Sequence, residues 1–176
     1  MTKTELQNIV IDYAYGYGID PQIALAQISQ ESGFNPLTNG SSGEKGMAQF
    51  MPGTWQRFGY GSFDNAYDPN YAMWAWGEYM SYLLNLFGWD YQKALIGYNG
   101  GEGHLLDPSR YGPPSSRAQN YAKTILANAR RYDLANYSSV QTTSGNPDDE
   151  PNILGLSLTT ALLIAGGVFA ILALRE

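Results

Sequence analysis

Apolar and polar positions divide the 176-residue chain into three stretches. Residues 1–137 mix the two in helical and turn-like patterns. Residues 138–152 begin Ser-Ser-Val-Gln-Thr-Thr-Ser-Gly-Asn-Pro and continue through Asp148, Asp149 and Glu150. They are polar without any hydrophobic period, which predicts a flexible linker. Residues 153–174 contain no charge in 22 positions. A helix of that length spans roughly 33 Å, about the thickness of a bilayer core, so the pattern predicts one C-terminal transmembrane helix. Gly166 and Ala170 lie four apart there and offer a small-residue packing face.

Within residues 1–137 the pattern predicts a mainly α domain. Asp20-Pro21 reads as a helix start, with a capping side chain followed by proline at the first helical position. The run Ile23-Ala24-Leu25-Ala26-Gln27-Ile28 is apolar on nearly all sides, which predicts a buried helix ending near Gly33. The turn-rich stretch from Thr38 to Gly43 predicts a short hairpin. Pro52 opens a helix through Trp55 and Phe58. Asp68-Pro69 opens a longer one to about Phe87, with Met73, Trp76, Tyr79, Met80, Leu83 and Leu84 near helical spacing. Further helices are expected over Tyr91–Tyr98 and from Arg117 to about Tyr132.

Composition narrows the chemistry. There are no cysteines and a single histidine, His104, so a thiolate or histidine-based zinc site and a cysteine nucleophile are ruled out or nearly so. No metal and no organic cofactor is expected. The net charge of −6 argues against a nucleic-acid partner. Arg110, Arg117, Lys123, Arg130 and Arg131 nevertheless cluster late in the domain, either as a solvated helix face or as a surface for an anionic polymer. The 14 tyrosines combine a flat apolar face with a polar edge, which suits core, surface and carbohydrate alike.

Among the carboxylates, Glu31 differs in its setting because it closes a nearly continuous apolar helix. Lost solvation and the negative end of the helix dipole both favour its neutral form. A glutamic acid protonated near neutral pH is what glycosidic cleavage requires of its general acid. From position alone, an ordinary solvent-facing glutamate near a helix end stays open as the alternative.

The surrounding segments carry a resemblance. DPQIALAQISQESGFNP (20–36) is followed by GEKGMAQFMPGTW (43–55), then DPNYAMWAWGEYMSYLLNLFGWDYQKALIGYNGG (68–101) and SRAQNYAKTIL (116–126). In order and spacing these are similar to the transglycosylase SLT domain, the soluble-lytic-transglycosylase branch of the lysozyme-like superfamily, over roughly residues 8–132. The resemblance implies a lysozyme-like helical fold with a groove for peptidoglycan glycan strands. It implies Glu31 as the single catalytic residue. Ser32, Gln49, Tyr98, Asn99 and Tyr121 would be its substrate-binding neighbours, with Gln49 bonding to the sugar and Tyr121 beside the acid. It implies cleavage of the β-1,4 bond between N-acetylmuramic acid and N-acetylglucosamine, with closure to a 1,6-anhydro sugar. The sequence departs from the family at Met47-Ala48, at Gly97 and Gly100, and at Gly40, where a serine is often kept; Ser41 and Ser42 stand next to it.

Two rival functions are weighed. A muramidase would hydrolyse the same bond and needs a second carboxylate, for which Asp64 and Asp68 are candidates, although Asp68 also suits a helix cap. A catalytically inactive wall-binding virion protein would need no acid at position 31. The first residues lack an apolar targeting stretch, and Arg175 follows the predicted span, which places the C-terminus inside. Residues 153–174 thus make the lipid bilayer a partner. The expected location is the internal membrane of a phage virion, where the enzyme would open the wall during entry. The bacterial inner membrane, facing the periplasm, is the alternative. Self-association and virion membrane proteins stay open as further partners.

Overall fold

The computed structural model describes residues 1–137, and the predicted linker and membrane span lie outside them. Among the described residues no helix is long and apolar enough to cross a membrane. The domain is helical, and its helix starts follow local chemistry. Helix α1 (Lys3–Gly16), which the apolar pattern did not announce, is opened by a reciprocal capping box between Thr2 and Glu5. Helix α2 (Pro21–Ser32) begins where Asp20 accepts from the Gln22 N–H, and it ends at Gly33 in the left-handed region. Helix α3 (Pro52–Phe58) starts on its proline, and a 3-10 turn (Phe63–Tyr67) follows.

Helix α4 (Pro69–Leu86) is capped by Asp68, which accepts from the N–H groups of Asn70 and Tyr71. Asp90 caps α5 (Tyr91–Gly100). Two single-turn helices, α6 (Gly103–Leu106) and α7 (Pro108–Tyr111), lead to α8 (Ser116–Ala129), which Ser115 caps. The 3-10 turn Leu134–Asn136 closes the described part.

The core forms around α4, whose Met73, Trp76, Met80, Leu83 and Leu84 are fully buried. Burying each such side chain stabilises the fold by about 1.5–3 kcal/mol. Helix α2 packs against α1 and α8, and α5 against α4 and α8. Every residue of α2 from Ile23 to Ile28 is buried, as the largely apolar run predicts, and the polar Gln27 is buried with them. A row of aromatic contacts runs Phe58, Tyr79, Tyr98, Phe50, Trp55 and ties α3, α4 and α5 to the loop between α2 and α3.

The expected hairpin does not form. The loop holds only two single antiparallel bridges, Asn39 with Lys45 and Lys45 with Phe50. Lys45 is shared by both, and tight turns flank it on each side, so no ladder can lengthen in either direction. Gly46 makes the second turn possible, with φ at 78°. A Cβ there would lie 1.8 Å from the Ala66 carbonyl oxygen.

Gly46→Ala therefore meets both a disfavoured backbone and a backbone clash. We expect a loss of at least about 2 kcal/mol in unfolding free energy, read from the urea midpoint, against under about 0.5 kcal/mol for Gly53→Ala at the exposed start of α3, where a Cβ meets nothing.

Candidate active site

Three segments converge on the C-terminal end of α2. Ser32 donates its hydroxyl to the Met47 carbonyl at 2.8 Å. Tyr98, from α5, donates to the neighbouring Ala48 carbonyl at 2.8 Å. Gln49 has φ of 50°, and its side-chain nitrogen donates to the carbonyls of Gly46 at 2.8 Å and Thr38 at 3.2 Å. The loop 46–49 is thus held from both sides by hydrogen bonds to its own backbone. This places Gln49 with only its Oε1 left to accept from a ligand.

Glu31 lies between this loop and α8. The Tyr121 hydroxyl donates to Glu31 Oε1. On the α8 side a hollow of about 350 Å³ opens beside the carboxyl, lined by Gln30, Glu31, Asn99, Arg117, Asn120, Tyr121 and Thr124. Asn99 accepts from Arg117 Nε across the hollow at 3.4 Å. The structure therefore brings Glu31, Asn99 and Tyr121 together around one hollow. Ser32, Tyr98 and Gln49 are joined to the loop that borders the acid.

Electrostatics follow from this burial. Loss of water around the carboxyl pushes the Glu31 pKa up to about 7; the Tyr121 hydrogen bond opposes the rise, the Glu44 charge adds to it, and Arg117 opposes it. Tyr98 and Tyr121 are themselves pushed upward, chiefly by burial and next by the Glu31 charge, so both hold their protons. Glu31 can therefore carry a proton at neutral pH and lose it reversibly.

Several residues here escaped the sequence reading. Arg117 belonged to a basic cluster with two open readings, and it proves to face the acid while the other four of that cluster are exposed elsewhere on α7, α8 and beyond. Gln27 is completely buried, a polar residue inside an apolar run, and it reaches the Tyr121 hydroxyl at 3.2 Å. That interruption in the run was the available signal. Glu44 sits beside Gln49. A Cβ on Gly40 would fall 2.1 Å from Glu44 Oε2 and 2.9 Å from Gln49 Oε1. Ser41 and Ser42 are exposed, and the Ser42 N–H is bonded to the Glu44 carboxylate. Asp64 pairs with Lys45 at 2.6 Å, and Asp68 caps α4.

The transglycosylase SLT domain matches residues 8–120. The chain belongs to that family. It is 30% identical over 107 residues to the peptidoglycan transglycosylase gp16 of Escherichia phage T7, a stretch covering 54% of this chain and 8% of gp16. The 70 kDa soluble lytic transglycosylase of Escherichia coli superposes with a TM-score of 0.60 at 28% identity, covering 69% of this chain and 23% of that one. The same enzyme class in complex with bulgecin A gives 0.62 at 27%, over 75% and 25%. An inactive mutant of lytic transglycosylase Slt from Pseudomonas aeruginosa gives 0.59 at 21%, over 68% and 22%, a likeness of fold. The SLT domain here is therefore mainly helical and lysozyme-like, and the chain spans a quarter or less of the length of each of these relatives.

The raised Glu31 pKa predicts a pH dependence of stability. Between its usual value of 4.5 and about 7 the folded protein keeps a proton that the unfolded chain has released. Stability contributed by this group therefore falls as pH rises through that window. Glu31→Gln removes the penalty, so the variant is expected to unfold at higher urea than the wild type at pH 8, by about 2–3 kcal/mol, with the difference closing by pH 4. An equal difference at both pH values would show that the carboxyl is not desolvated.

Proposed function

We propose that the chain is a peptidoglycan lytic transglycosylase. In this reading it cleaves the β-1,4 bond between N-acetylmuramic acid and N-acetylglucosamine and closes the muramoyl product to its 1,6-anhydro form. The observation that carries the reading is a single desolvated carboxylic acid, Glu31, hydrogen-bonded by Tyr121 beside an open hollow, within an SLT domain. The phage T7 relative, named a peptidoglycan transglycosylase, supports the substrate class.

The chemistry uses one residue twice. Protonated Glu31 gives its proton to the glycosidic oxygen as the bond to C1 breaks, and positive charge develops on the muramoyl ring. The carboxylate that remains takes the proton of the C6 hydroxyl, whose oxygen bonds to C1. Glu31 ends protonated, as it began, and no water is consumed. A pKa of about 7 serves both halves, since the group must give and regain a proton at ordinary pH. In this reading Asn99, which lines the hollow, would bond the sugars, and Tyr98 and Ser32 fix the loop that carries Gln49. Hydrolysis through Asp64 or Asp68 is disfavoured because Lys45 and the start of α4 already engage those carboxylates.

Residues 153–174 would tether the domain to a bilayer through the linker 138–152, and the internal membrane of a phage virion is the location we favour. The 22 uncharged residues and the kinship with a phage protein support this. A tethered domain searches a small volume, which concentrates cutting near its own membrane.

Mass spectrometry of muropeptides released from purified peptidoglycan tests the reaction. Anhydro-muropeptides are expected from the wild type, with release by Glu31→Gln reduced at least about 100-fold. Reducing-end muramic acid would replace the transglycosylase with a hydrolase. Flotation with liposomes tests the tether: the full chain is expected to float and a chain ending at residue 137 to remain below. Equal behaviour of the two would remove the anchor.

A further inference from the structure

A buried line of polar groups stands behind the acid. Trp76 Nε1, on α4, donates to Gln27 Oε1 at 3.1 Å, and Gln27 Nε2 donates to the Tyr121 hydroxyl oxygen at 3.2 Å. Tyr121 in turn donates to Glu31 Oε1. Gln27 and Trp76 are fully buried and Tyr121 nearly so. Gln27 lies one turn before Glu31 on α2. An apolar residue would satisfy the helix there at least as well, and a buried amide is costly unless paired.

We propose that Gln27 and Trp76 are positioning residues for the acid. They direct the Tyr121 proton onto Glu31 Oε1, so that Oε2 is the oxygen that carries and delivers the catalytic proton. This rests on the reading of Glu31 as the general acid. The argument follows from donor and acceptor types. An indole N–H only donates, so it fixes the Gln27 carbonyl towards Trp76 and the amide nitrogen towards Tyr121. The tyrosine oxygen then receives an N–H and can send its single proton only to Glu31. A carboxylic proton on Oε1 would face that hydroxyl proton, and Tyr121 could not turn away, because Gln27 offers it no acceptor. The acid proton is therefore confined to Oε2.

The test is a carbon-13 NMR titration of the Glu31 carboxyl, which needs no substrate, run beside muropeptide release. Trp76→Phe keeps the buried ring and removes the indole N–H. The Gln27 amide is then free to turn its carbonyl to Tyr121, which donates there and leaves Glu31. Gln27→Met removes both hydrogen bonds at similar volume. The groups facing Glu31 are Tyr121 and Arg117 from α8, Tyr98 from α5 and Glu44 from the loop, and neither variant replaces any of them.

Loss of order in the Tyr121 bond, which holds the carboxyl down, is expected to move the Glu31 titration upward from about 7 in Trp76→Phe. A fall of about tenfold in kcat at unchanged KM is expected on a soluble glycan strand. Ile125→Val, a core truncation one turn from Tyr121 with no polar contact, is expected to leave the titration in place. An unmoved titration in Trp76→Phe overturns the proposal even if activity falls. If Gln27→Met unfolds, Trp76→Phe alone decides. A moved titration in a protein whose wild type releases no muropeptide upholds the positioning role and removes the function on which it was built.

Discussion

A carboxyl group taken out of water loses several kcal/mol of solvation when ionised, and an enzyme that keeps one must arrange its surroundings accordingly. At Glu31 the arrangement is neither full compensation nor none. Tyr121 gives the carboxylate one strong hydrogen bond, and Arg117 stands near enough to favour the charge, while burial and the Glu44 carboxylate oppose it. The balance falls near neutrality. A lysine in contact would have drawn the group back to an ordinary carboxylate, and a wholly apolar niche would have left it unable to release its proton. Most of the fold can be read as the means of holding this balance. Helix α2 is buried from Ile23 to Ile28, just ahead of the acid, and α8 is packed against α2 so that Tyr121 reaches back to it.

The loop between α2 and α3 supplies the opposite wall, and it is unusual in how little regular structure it contains. With single bridges in place of a hairpin, its shape depends on side chains reaching its carbonyls. Ser32 and Tyr98 take those of Met47 and Ala48, and Gln49 takes two from within the loop. The motifs that lie far apart in sequence are therefore mechanically one unit. This explains why residues that would bind sugar if judged by motif alone are spent, as Ser32 is, on holding the backbone. It also explains the demand for glycine at 46, where the chain passes against the Ala66 carbonyl.

Much of this was legible in advance, for identifiable reasons. The periods of α2 and α4 and the Asp-Pro starts at 20–21 and 68–69 act locally, so the sequence displays them. The place of Glu31 at the end of a nearly continuous apolar helix pointed to lost solvation, with an ordinary solvent-facing glutamate as the alternative. The failures are those of long-range geometry. The Thr38–Gly43 stretch has the composition of a hairpin turn, but whether strands flank it depends on the Lys45 pairing with both Asn39 and Phe50. Arg117 looked like one of five basic residues because only the packing of α8 on α5 brings it to Asn99. Gln27 drew no separate reading within its apolar run, since its partners lie 49 and 94 residues away.

The choice between closing a 1,6-anhydro ring and admitting water turns on whether a second carboxylate can act near C1 of the bound sugar. Asp64 is paired with Lys45 through one oxygen, and Asp68 is engaged by the first turn of α4. Glu44 is the acidic residue whose charge reaches Glu31, but the loop occupies it in a different way. Its Oε2 accepts the Ser42 N–H and fills the space that any side chain at position 40 would need. Gly40 and Glu44 are thus a matched pair, and a serine at 40 could be accommodated only by moving the carboxylate. A group bound to the loop backbone in this manner contributes a fixed negative field more readily than a mobile base. That field favours the protonated form of Glu31, and in the proposed reaction it would favour the cationic ring as well. Both effects assist a mechanism in which one acid does all the proton transfer, and neither requires water to enter the site.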